Sequence, residues 1–458
     1  MTATGMSDGQ RADRVITDAT VIPRPGDQRV LDRGFVAITS GRIAAVGPMS
    51  DAAEWTAGAA RVTAMPWAIV LPGLVNAHTH VAAGIFRGLL DDGAKGRGLY
   101  DIAFPMEQLL EPEDIHWLGL LGCIEVLKAG CTTINDIYYF ADRLALAVEE
   151  IGLRAVLAEK VFDCDLPRIG QGDYTRYPDR GRERLRANVA LAERWHGGAS
   201  GRITVRMGTH ATDTCSEPFL REASAEARRL GIGIHIHTAQ SPNEIEHVRS
   251  THGCTPVEYL DRLGMLGPST LAAHCFHNTD ADIDRMVATG TPHAYCASIY
   301  ARRGRFPRLA EFRARGATTG FGTDWIRMDP WEAMRNATTA TRFQTGDPDA
   351  LPSHEALDLQ TMGSARALGM ADDIGSLEPG KKADVLVIDG RRPHLQPFYG
   401  TIPGIVNTVY PSDVSEVIVD GRTVVENGRV LTVDEGAVLA EVVRRIPRYR
   451  EWRQRLSV

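Results

Sequence analysis

Leu71-Pro72-Gly73-Leu74-Val75-Asn76-Ala77-His78-Thr79-His80 is an extended apolar run that stops on two histidines one residue apart. On a strand, side chains at i and i+2 point to one face. The His78 and His80 imidazoles can therefore converge where the strand gives way to a loop, as metal ligands do. Alone, such a pair serves equally well as a satisfied structural pair.

The pattern recurs downstream. Short apolar strands with polar ends are predicted over Leu71–His80, Thr132–Tyr139, Ala155–Phe162, Ile203–His210, Gly233–Thr238, Thr270–His274, His293–Ala297 and Thr318–Asp324. The spacing predicts helices over Glu113–Ala129, Asp142–Ile151, Arg182–Trp195, Phe219–Leu230, Glu244–Ser250, Ala281–Val287, Arg308–Arg315 and Pro330–Ala340. Alternation on this scale argues for a parallel sheet in the α/β class, and eight units argue for closure into a (β/α)8 TIM-type barrel.

The flanks differ. Phe35-Val36-Ala37-Ile38, Arg42–Gly47, Ala383–Ile388 and Val417–Gly421 are short β-like runs with glycine turns. Neither end holds enough strands to bury a core alone, so the two ends are expected to meet in one small β-sandwich with the barrel inserted between them. The expected division is 1–70 and 375–435 for the sandwich halves, 71–374 for the barrel and 436–458 for a C-terminal helix. Val438–Leu456 carries six arginines against two glutamates, which reads as a solvated or docking helix before a nucleic-acid contact.

At 458 residues, 43% hydrophobic and 24% charged, the composition is that of a globular protein, and the net charge of −7 disfavours nucleic acid as a partner. The seven cysteines include no Cys-x-x-Cys, as in reduced cytoplasmic proteins. No apolar run approaches the ~18 residues of a membrane span, and Met1–Arg14 has no signal-peptide core. A cytoplasmic protein without a membrane partner is expected.

Barrel enzymes carry their chemistry at the carboxyl ends of strands. Those ends offer His78 and His80, His210, His237, His274 and Asp324. Three neutral imidazoles and a carboxylate suit a zinc-like divalent ion with an open position. Such an ion lowers the pKa of a water it binds from 15.7 to about 7.

Six segments, in order, are similar to the metal-dependent amidohydrolase superfamily over nearly the full length. They are Pro72–His80, Glu125–Thr133, Thr214-Cys215-Ser216 after His210, Ala273-His274-Cys275, Gly322-Thr323-Asp324 and Ile374–Asp384. Within it, the chain resembles the deaminase and chlorohydrolase branch, the atrazine chlorohydrolase-like and S-adenosylhomocysteine deaminase-like enzymes. The resemblance implies one divalent metal, zinc with iron or manganese as alternatives, on His78, His80, His237 and Asp324. It implies that Asp324 takes the proton of the attacking water and that His274 polarises the substrate or steadies hydroxide. Glu107, from Phe104-Pro105-Met106-Glu107, and His210 would face the substrate, and the assembly would be a homodimer or higher homo-oligomer. Two-metal relatives commonly use a modified lysine at the end of the fourth strand. Here that strand ends Met207-Gly208-Thr209-His210, with Lys160 on the third, so a mononuclear site is expected unless the barrel register differs.

Two departures stand out. Family deaminases have His-x-x-Glu on the fifth strand, where this chain reads His237-Thr238-Ala239-Gln240. Glutamine can hydrogen-bond a ring but cannot shuttle a proton, and losing a general acid removes ~10²–10⁴ in rate. Asp324 returning the proton, or Glu107 acting on the leaving group, are the expected substitutes. Glu244 is read as helix architecture, because Ser241-Pro242-Asn243-Glu244 has the form of a capping box. The second departure is Tyr295–Gly304 on the seventh strand and its loop. There Arg302 and Arg303, with Arg87, Arg168 and Arg176, suggest an anionic group on the substrate, solvated loop charge being the alternative. The long stretch Asp163–Arg180 reads as a lid.

Gly375–Lys382 has phosphate-loop spacing but lacks the Ser or Thr and the helix that should follow. Cys275 and Cys296 read as small buried hydrophobes, and His116, His196, His247, His252 and His394 as surface residues. His235 reads as support for a ligand. The expected function is hydrolytic deamination of an amino-substituted nitrogen heterocycle of purine, pterin or triazine type, with Gln240 and Glu107 orienting the ring. Dechlorination, N-dealkylation or cyclic-amide opening is the alternative. A non-catalytic scaffold is a third reading, disfavoured because no ligand is eroded.

Overall fold

The computed structural model describes residues 11–90 and 97–455. Eight parallel strands form two four-stranded sheets. One holds Leu74–Thr79, Cys131–Tyr138, Arg154–Glu159 and Ile203–Val205; the other holds Ile234–Thr238, Thr270–His274, His293–Tyr295 and Thr319–Phe321. Backbone bonds close both seams into a barrel. The Met207 N–H donates to Gly233 O at 2.8 Å on one side, and the Asp324 N–H to His78 O at 3.0 Å on the other. Helices return the chain between parallel strands, as such connections require. Pro112–Lys128 begins with proline in its first turn and a Glu111–Asp114 capping box, which satisfies its first amides.

The run expected as a single strand, Leu71–His80, is two. Ala68–Pro72 pairs antiparallel with Val385–Asp389, Leu71 opposite Leu386 and Ile69 opposite Ile388, and the first barrel strand starts only at Leu74. Gly73 is the joint: a Cβ there would lie 2.2 Å from Thr132 Oγ1. The fourth strand stops at Val205, short of the expected His210. It continues as single bridges at Met207, Thr209 and Ala211.

Both chain ends build one small β domain. Its hydrogen bonding is continuous through a nine-stranded sheet. Alternation divides its faces. Val70, Val385, Val387 and Ile418 form a core with Ile16 and Val36, while Ile69, Leu71, Leu386 and Val417 join the core shared with the barrel.

The C-terminal helix, Glu435–Arg455, docks on Pro112–Lys128. The Tyr449 hydroxyl donates to Asp114 Oδ1 at 2.9 Å, and Arg448 Nη1 to Glu111 Oε2 at 2.9 Å. These pairings favour the docking reading of its arginines. Leu456, and residues 1–10 of the polar start, lie outside the described residues. Among the described residues no helix is long and apolar enough to cross a membrane.

Candidate active site

His78, His80, His237, His274 and Asp324 meet at the carboxyl ends of their strands. His80 Nδ1 lies 2.7 Å from Ile137 O, and His237 Nδ1 lies 2.6 Å from His210 O. A carbonyl only accepts, so each ring carries its proton on Nδ1 and turns a bare Nε2 inward. The two Nε2 atoms are 3.4 Å apart. Asp324 Oδ1 is 3.4 Å from His80 Nε2 and 3.6 Å from His78 Nε2. His78 Nδ1 meets His235 Nε2 at 2.8 Å, and among the described residues His78 Nε2 is buried without a hydrogen-bond partner.

Burial holds His78 and His80 well below the ordinary histidine pKa and pulls His237 down to about 4. Neutral rings facing one another beside a carboxylate are the donor set of a divalent metal site. The ligand atoms of His78, His80 and His237 lie within 4.8 Å of one another, as do those of His78, His274 and Cys296. Cys296 was read from sequence only as a small buried hydrophobe. Non-glycine residues at the strand ends adopt left-handed backbone here, among them Ala239 (φ 51°), His274 (φ 72°) and Asp324 (φ 60°). That conformation is costly and recurs at functional sites.

Above these residues opens a cavity of about 580 Å³. His80, His237, His274 and Asp324 line it, with the expected Glu107, His210, Gln240, Arg302 and Arg303. Lys160 lines it too, donating from Nζ to Glu107 Oε2 at 2.8 Å. Burial lowers the Lys160 pKa, and the Glu107 charge opposes that shift. The sequence reading weighed Lys160 only as a metal bridge and missed its place in the cavity. The polar end of the third strand was the available signal.

The capping reading of Glu244 is half right. Ser241 Oγ accepts the Glu244 N–H at 3.2 Å, but the Glu244 carboxylate turns back under the strand end. There it accepts the N–H groups of Ala239 at 3.1 Å and Gln240 at 2.7 Å. It thus positions Gln240 from below. The expected set of arginines for an anionic group also shrinks. Arg87 pairs with Glu125, Arg168 with Asp173 at 3.1 Å and Arg176 with Asp163 at 3.4 Å. None of these three lines the cavity, nor does any residue of the expected lid, Asp163–Arg180; Arg97 and Arg305 line it instead. His247, expected at the surface, is half-buried and stacks on Tyr174 at 3.6 Å.

Residues 69–424 match the model of the Amidohydrolase family. The chain belongs to that family. This amidohydrolase is 38% identical over 440 residues to a 5-methylthioadenosine/S-adenosylhomocysteine deaminase of Pelotomaculum thermopropionicum, covering 95% of this chain and 98% of that one. It is 34% identical to a 5'-deoxyadenosine deaminase of Methanosarcina acetivorans, covering 94% and 96%. A solved adenosine deaminase from Xanthomonas campestris with bound zinc superposes with a TM-score of 0.87 at 26% identity, covering 97% and 99%. The protein is an aminohydrolase, acting on carbon–nitrogen bonds other than peptide bonds.

Proposed function

We propose that this amidohydrolase deaminates adenine-type nucleosides, using one zinc ion held by His78, His80, His237 and Asp324. The observation that carries the reading is the pair of bare Nε2 atoms on His80 and His237, 3.4 Å apart beside the Asp324 carboxylate, at the floor of the cavity. Similarity to deaminases of 5-methylthioadenosine, S-adenosylhomocysteine and 5'-deoxyadenosine along more than nine-tenths of the chain supports the substrate class.

A zinc ion bound there would supply Lewis-acid chemistry that lowers the pKa of water. Asp324 would accept a proton from the attacking water at its carboxylate and return it to the departing amine, the route left open by glutamine at position 240. Buried and neutral, His274 hydrogen-bonds the oxygen that adds to the ring carbon. The Gln240 carboxamide orients a ring nitrogen as donor or acceptor without moving a proton. Glu107 and His210 hold the rest of the substrate, and Arg302 and Arg303 at the mouth suit an anionic substituent.

Gln240 also favours a second reading, in which the departing group needs less protonation, such as chloride, an N-alkylamine or a ring amide. The test is ammonia release from 5'-deoxyadenosine, methylthioadenosine and S-adenosylhomocysteine, run beside chloride and ring-opening assays on triazines and cyclic ureides. Turnover of the nucleosides alone supports deamination. Chloride or ring-opened product without ammonia from any nucleoside overturns it.

A further inference from the structure

Lys160 follows the third barrel strand and lines the cavity, yet no step above uses it. Its side chain is 5% exposed, and its ammonium is 2.8 Å from Glu107 Oε2 on a side chain 3% exposed. An ammonium has three donors, and Glu107 takes one. Around it lie ring faces, Tyr139 at 4.8 Å, Phe104 at 5.1 Å and Tyr138 at 6.0 Å. Ring faces attract the charge without accepting a full hydrogen bond. Among the described residues, two Lys160 N–H directions therefore meet no oxygen or nitrogen acceptor. An unmet donor on a buried charge is expensive, so the pair is built to be completed by what enters the cavity.

The two side chains present a charged donor and a charged acceptor at one point. A hydroxyl engages both at once, its oxygen accepting from Lys160 while its hydrogen goes to Glu107. A carbonyl or ring nitrogen engages only Lys160, and a carboxylate is repelled by Glu107. We propose that Lys160, acting with Glu107, reads a 2'- or 3'-hydroxyl of the nucleoside sugar and is a specificity-determining residue of this enzyme. The inference rests on the nucleoside reading above.

The test compares kcat/KM for ammonia release from adenosine and from 2',3'-dideoxyadenosine, in the unchanged holoenzyme and in Lys160→Met. Removing a charged hydrogen bond to the substrate is expected to lower the adenosine-to-dideoxyadenosine ratio about 10-fold or more. A defect of folding or metal loading lowers both substrates together and leaves the ratio standing, which overturns the inference. Lys160→Met leaves Glu107 buried without its partner, so Lys160→Met/Glu107→Gln is measured alongside. With neither charge left unpaired, its ratio is expected to fall as far. Unchanged enzyme that deaminates neither nucleoside overturns the nucleoside reading itself, and that result appears before any variant is made.

Discussion

His80 and His237 point bare Nε2 atoms at each other across 3.4 Å, each ring tethered through Nδ1 to a main-chain carbonyl. Neither ring can turn away without giving up its tether, so a shared cation would relieve the opposed lone pairs. We expect purified protein to hold about one zinc per chain. Chelation should abolish ammonia release and lower the melting temperature by several degrees, because the ion binds only the folded state. Elemental analysis and calorimetry of chelated and reloaded protein check this. A melting temperature indifferent to chelation would remove these imidazoles from the ligand set.

Gln240→Glu places an ionisable group where the chain has an amide. If the amine leaves from beside position 240, kcat on an aminated nucleoside should rise about 10-fold or more. A fall in kcat for ammonia release would show that the amide itself is required, and would favour the second reading.

Asp136 gives the chain a pH-dependent stability. Its Oδ2 accepts the Val81 N–H at 2.7 Å, Oδ1 is buried with no partner among the described residues, and burial raises its pKa from 3.8 to about 8. Between those values the folded protein keeps a proton that unfolding releases, so stability falls as pH rises through this window and levels off above it. Asp136→Asn should flatten the dependence while keeping the Val81 bond. Melting temperatures of metal-free protein from pH 5 to pH 9 read this out, and parallel curves for the two proteins would refute it.

Gly322 permits the last strand to lie against the first. A Cβ there would sit 2.7 Å from His78 O and 2.9 Å from His78 Cβ, beside the bond from the Asp324 N–H to His78 O. Gly322→Ala should cost about 1–3 kcal/mol by overpacking and lower zinc content and kcat/KM together, because the seam carries two proposed ligands. Full zinc content with unaltered activity would show that the seam yields without moving either ligand.

The barrel was legible because short apolar strands with polar ends alternate with helical segments, and the histidines among those ends, with Asp324, were picked out for the same reason. What stayed hidden lacked such contrast. Ala68–Val75 is apolar on both sides of Gly73, since each strand is covered on both faces, so no change of pattern marks where one sheet hands over to the other. Glu244 satisfies the spacing of a capping box, and only the fold shows its carboxylate bonded to Ala239 and Gln240 instead. The salt links of Arg87, Arg168 and Arg176 depend on residues brought together by packing, which a linear reading cannot place. Lys160 was visible but had no partner in sequence, because Glu107 lies 53 positions earlier.

The antiparallel pairing of Ala68–Pro72 with Val385–Asp389 joins a segment translated early to one translated late. On the ribosome, the strand that leads into His78 and His80 therefore waits with an open edge while some three hundred residues of barrel emerge. A nascent polypeptide stalled before Val385 would leave that edge unpaired and open to aggregation.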